Sequence, residues 1–125
     1  AEPAPERSEQ AGEGSDLSFI LTELRNLDHQ HWSALLAELI QDRLDEVHPG
    51  PNRGVKQGPF AVITNALMPS VLLEVGFLTN REEEQLLNRE SFQEDAARAV
   101  ASALKEFFRR YPGRSMLPDQ DEDRT

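Results

Sequence analysis

One carboxylate stands inside an apolar run. In the segment MPSVLLEVGFLTN, residues 68–80, Glu74 follows Val71, Leu72 and Leu73 and precedes Val75 and a turn at Gly76. An ionised carboxylate taken out of water without a partner is costly, so Glu74 has to reach solvent, meet a cation or hold a raised pKa. All three situations occur where protons are moved. Alternation along a strand would put Val71, Leu73 and Val75 on one face and Leu72, Glu74 and Gly76 on the other, with Glu74 near the strand's C-terminal end. Ligands collect outside such ends in open α/β sheets, which suits a general base or a metal partner. A solvated Glu on an edge strand leaves the same pattern. The residues alone keep both readings open.

The three histidines are the other candidates for chemistry. His29 and His31 are two apart, which points them to different sides of a helix and makes them poor chelators together. His48 lies in a turn farther along. No third ligand falls at a spacing that makes a zinc site, so they read as surface histidines and no metal ligand is assigned. Cysteine is absent. Disulfides and thiolate ligation are therefore excluded, and the redox compartment stays open.

The elements around Glu74 follow from periodicity. Leu17, Ile20, Leu21 and Leu24 fall at helical spacing behind the capping candidates Ser15 and Asp16 and predict a short first helix. Trp32, Leu35, Leu36, Leu39, Ile40 and Leu44 form one stripe of a second, from about residue 29 to 47. The run PGPNRG, residues 49–54, ends it. Strands are expected at residues 60–64 and 70–75, with Pro69 just before the second. Asn80 with Glu83 three residues on predicts a third helix start. Ser91 with Glu94 predicts a fourth helix, apolar along Ala96, Ala99, Val100, Ala103, Leu104, Phe107 and Phe108 and ended by Arg109, Arg110, Pro112 and Gly113. Its small Ala positions should admit close approach to a sheet. The fold class expected is α/β: a partial three-layer sheet with flanking helices, about two strands and four helices. The two strands, joined too closely for a helical crossover, would pair antiparallel or lie apart in a sheet whose other strands are missing.

The blocks RGVKQGPF at 53–60, AVIT at 61–64, MPSVLLEVGFLTN at 68–80 and EEEQLL at 82–87 resemble, in order and spacing, the C-terminal half of the zinc-dependent N-acetylmuramoyl-L-alanine amidases. The resemblance continues more weakly through Phe92 and Gln93 into the last helix, and back over residues 16–44. It implies that Glu74 is the family's catalytic carboxylate beside the zinc, accepting a proton from a water that the zinc activates. The family's zinc ligands, two histidines and a glutamate, lie earlier in the domain, and none of their motifs stands upstream of Arg53. The cofactor implied is therefore zinc for the complete domain, with its ligands absent from this chain. The isolated chain should be inactive. Arg53, Lys56 and Gln57 match the family's polar run and could orient Glu74, face substrate or be plain loop residues. Asn80 is explained by capping, and Gly76 by a place where a side chain could crowd metal or substrate.

Peptidoglycan is the substrate the resemblance implies, cut between N-acetylmuramic acid and L-alanine. A periplasmic, extracellular or cell-wall location and an activator protein belong to the same implication. A net charge of −10 argues against nucleic-acid backbone binding and against adsorption to anionic lipid. No apolar run reaches membrane-spanning length. The organisation expected is a disordered linker at residues 1–15, rich in Pro, Glu, Gly and Ser, then the C-terminal part of an amidase-like domain at 16–114, then an acidic disordered tail at 115–125. The chain opens on Ala1, as a processed or partial sequence would, without a visible targeting segment. The alternative is a non-catalytic wall-binding module or a protein-interaction module.

Overall fold

A computed structural model describes the backbone of residues 7–112 and the side chains of residue 12 and residues 14–112. Three helices follow one another: α1 (Arg7–Asp45), α2 (Arg81–Leu87) and α3 (Glu90–Arg110).

The two N-terminal helices expected from periodicity are one helix of 39 residues, about 58 Å long at 1.5 Å per residue. No proline lies between Pro5 and Pro49, so nothing in the stretch Arg25–Asn26–Leu27–Asp28 removes a backbone donor, and the i→i−4 ladder runs through it. Residues 7–15, expected as linker, are its first turns. Residues 1–6 and the acidic tail at 115–125 lie outside the described residues. At the other end His48 N–H bonds back to Leu44 O at 2.8 Å, and Pro49 forbids continuation.

The C-terminal half of α1 packs on α3. Ile40 and Leu44 meet Ala99 and Ala103, with Leu36, Leu39, Val47, Val71, Ala96 and Val100 around them. Ala103 is fully buried. The small alanines do admit a close neighbour, but that neighbour is α1 and not a sheet. Trp32 caps the seam, its indole 4.8 Å from the Tyr111 ring and 6.2 Å from Phe107, both edge-on. The N-terminal half of α1 has no such partner among the described residues, and Leu17, Phe19, Ile20, Leu21, Leu24 and Leu27 stay exposed.

The α/β expectation is overturned: the described residues contain no strand and no sheet. Residues 60–64 coil into successive turns. Ile63 N–H bonds to Phe60 O and Ala66 N–H to Ile63 O, both at 3.1 Å, while the Thr64 hydroxyl also donates to Phe60 O. Residues 70–75 form no ladder. Ser70 N–H and Val75 O are taken instead by side chains of α1 and the turn that follows it. A strand needs a second backbone about 4.8 Å away to satisfy its donors and acceptors, and among the described residues the neighbours of 70–75 are helices and loop.

Asn80 is the N-cap of α2, its side-chain oxygen accepting from Glu82 N at 3.0 Å and Glu83 N at 3.1 Å. The start expected at Ser91 with Glu94 does not form. The last helix begins at Glu90 behind Arg89, with no side-chain cap bond. Gln93 reaches back instead, its amide donating to Leu87 O at 2.8 Å and tying α3 to the end of α2.

Candidate functional site

An open cleft of about 900 Å³ lies between α1, the loop at residues 50–60 and the segment around Glu74. Glu74 is exposed on its wall. Among the described residues its carboxylate makes no ion pair and no hydrogen bond. Of the three situations open to a carboxylate in an apolar run, the chain uses the first: the apolar neighbours pack or border the cleft, and the acid reaches water.

The backbone that carries Glu74 is held at several points. Upstream, the Ser33 hydroxyl donates to His29 O at 2.7 Å and accepts from Ser70 N at 2.8 Å, so one turn of α1 anchors the start of the segment. Beside Glu74, His48 Nε2 lies 2.9 Å from Val75 O. The tautomer follows from the other ring nitrogen: Gly50 N–H donates to His48 Nδ1 at 2.9 Å. In the neutral ring the proton is then on Nε2, and it is donated to the Val75 carbonyl. The ring also meets Phe92 edge-on, with centroids 5.5 Å apart, which joins the clamp to α3.

Downstream, Glu83 Oε2 accepts from Phe77 N at 2.7 Å. Its Oε1 is 3.8 Å from Arg53 Nη2, and the Arg53 guanidinium lies over the Phe77 ring, 4.5 Å from its centroid. Gln41 and Gly54 N both bond to Asn52 Oδ1. Gly54 sits at φ 74°, so the turn that presents Arg53 uses backbone space glycine enters freely. Arg53 thus touches the segment bearing Glu74 through Phe77 and Glu83. Lys56 and Gln57 line the cleft without a described bond.

Gly76 borders the cleft, and a Cβ there would lie 3.4 Å from Glu83 Cβ and 3.5 Å from Leu87 Cδ1, at ordinary contact distance from α2. The three histidines do not converge. His29 lines the cleft, His31 stands edge-on to Trp32 at 5.2 Å and His48 is committed to Val75 and Gly50. No group of three metal-ligating side chains occurs among the described residues.

Sequence reading treated His48 as a plain turn residue and Glu83 as half of a capping box. A bond spanning 27 residues, as between His48 and Val75, leaves no periodic signal. The Pro-Gly pair after His48 was the one local hint, because it ends a helix and lets a backbone N–H turn back to the ring.

A family model described as N-acetylmuramoyl-L-alanine amidase matches residues 9–106. The Escherichia coli (strain K12) N-acetylmuramoyl-L-alanine amidase AmiA is 34% identical over 92 residues, 74% of this chain and 32% of AmiA. YqiI of Bacillus subtilis (strain 168), an uncharacterised protein, is 40% identical over 76 residues, 61% of this chain and 37% of YqiI. AmiC of Neisseria meningitidis is 40% identical over 65 residues, 52% of this chain and 15% of AmiC. The chain thus spans about a third of the length of AmiA and YqiI. No solved structure matches it.

Proposed function

Because this chain belongs to the N-acetylmuramoyl-L-alanine amidase family, we propose that it supplies the general base of a peptidoglycan amidase, with Glu74 in that role. The observation that carries the reading is the position of Glu74: solvent-reaching, without a competing partner among the described residues, on the wall of an open cleft, on backbone tied at Ser70, Val75 and Phe77. A carboxylate so placed takes a proton from the attacking water. It returns that proton to the amide nitrogen as the bond between the lactyl carbonyl of N-acetylmuramic acid and L-alanine breaks. Such an enzyme works where the wall is, in the periplasm or outside the cell. No described helix is long and apolar enough to cross a membrane.

The family is zinc-dependent, and the described residues do not make its metal site: no three ligating side chains come together. The isolated chain is expected to release no soluble fragments from purified peptidoglycan.

The test is a segment exchange. Residues 9–106 replace the matched stretch of E. coli AmiA, and release of soluble muropeptides is followed. Hydrolysis by the exchange protein and its loss in the Glu74→Gln variant support the reading. Undiminished hydrolysis by Glu74→Gln overturns it.

A further inference from the structure

We propose that His48 and Glu83 are positioning residues for Glu74, acting as a two-sided backbone clamp; the inference rests on the reading of Glu74 as general base. The two bonds fall on either side of Gly76. His48 Nε2–H holds the carbonyl of Val75, and Glu83 Oε2 holds the N–H of Phe77. Between them stands Gly76, the residue with the least intrinsic restraint on its backbone. Glu74 is one residue before the first bond. With both in place, the direction in which its side chain leaves the chain is fixed by the turn after α1 on one side and by α2 on the other.

The clamp is supported from outside in a way that a chance contact is not. Glu83 keeps only 13% of its side chain exposed and faces Arg53, whose guanidinium covers Phe77. The His48 ring is oriented by Gly50 N–H and by Phe92. Gly50 leaves the ring its place: a Cβ at that position would lie 2.7 Å from His48 Cε1 and 3.0 Å from Nδ1. Any side chain there displaces the imidazole without altering its chemistry. The pattern is that of a functional group whose direction is set by neighbours that never touch substrate.

The experiment uses the 125-residue chain labelled for NMR, with backbone order at Glu74 and solvent exchange of the Phe77 amide as readouts. In the parent chain Glu74 should show an order parameter near that of rigid backbone, roughly 0.85, falling below about 0.6 in both His48→Ala and Gly50→Ala. Glu83→Ala should speed exchange of the Phe77 amide by roughly tenfold, the loss expected for one charge-assisted hydrogen bond. Glu83→Gln, which keeps an accepting oxygen and loses the charge facing Arg53, should restore most of the protection. The amides of Ala103 and Phe107 report the α1–α3 core and should stay unchanged throughout. Unaltered order at Glu74 in His48→Ala and Gly50→Ala, or unaltered exchange of the Phe77 amide in Glu83→Ala, overturns the proposal. These readouts need no catalysis, so they fail or stand separately from the Glu74→Gln exchange experiment.

Discussion

His48 donates its ring proton to the carbonyl of Val75 across 2.9 Å, which ties the turn that ends α1 to the residue next to the candidate base. Helix ends elsewhere in the chain do similar work: Asn80 closes the turn after Phe77, and the carboxylate of Glu83 in the first turn of α2 reaches back to Phe77 N.

Removing the Asn80 cap should cost stability where removing Ser91 should not. Asn80 satisfies two backbone donors of α2, whereas α3 starts without a side-chain cap. Asn80→Ala is expected to lower stability by about 1 kcal/mol, and Ser91→Ala to change it by less than about 0.5 kcal/mol. Urea unfolding of the two variants checks this; equal losses would mean that Ser91 caps α3 after all.

The contact between α1 and α3 tolerates no added bulk at its centre. Ala103 is 0% exposed and faces Ile40 and Leu44. Ala103→Leu should destabilise by about 1–3 kcal/mol through overpacking, read as a lowered thermal midpoint of helical circular dichroism. An unchanged midpoint would show that α1 does not pack there.

Gly76 and Gly54 should respond differently to alanine. Gly76 has space at contact distance and no positive φ, while Gly54 sits at φ 74°. Gly54→Ala is expected to cost about 1–2 kcal/mol of backbone strain, and Gly76→Ala less than about 1 kcal/mol. A larger loss at Gly76 would count against the placement of α2 beside it.

Acid should weaken the C-terminal end of α3 in a defined window. Hydrogen bonds from Arg109, then from Arg110, hold the Glu106 carboxyl down at about 2 against an ordinary 4.5. A depressed carboxyl pKa contributes stability that is fully present above the ordinary value and is lost as pH falls through the folded one. The thermal-midpoint gap between the parent chain and Glu106→Gln should therefore be widest above pH 4.5 and close toward pH 2. A gap that does not vary with pH would remove the ion pairs as its cause.

The starts and buried faces of α2 and α3 were legible in the sequence, and the segments between the helices less so. Asn80 announced α2, and the run from Ala96 to Phe107 announced the buried side of α3, because both signals are local. Residues 60–64 and 70–75 misled for a physical reason. Alternating Val, Ile and Leu reports a preference for a half-buried surface and says nothing about whether a second backbone lies alongside to complete a ladder. In this chain the side chains of Ser33 and His48 answer the backbone of 70–75 instead. Periodicity divides the long α1 in two because its apolar stripe is interrupted around Arg25 to Asp28; interruption of a stripe exposes a face without breaking the helix. Arg53 and Glu83 could be named but not joined, since their meeting over Phe77 depends on how the loop after Pro49 returns to α2.

The most direct measurement compares AmiA carrying residues 9–106 in place of its matched stretch with the same protein bearing Glu74→Gln, on purified peptidoglycan. Loss of a general base is expected to cut kcat by about 10²–10⁴-fold while substrate binding and thermal midpoint stay near those of the parent. Muropeptide release by the Gln variant at the parent rate would contradict the assignment of Glu74.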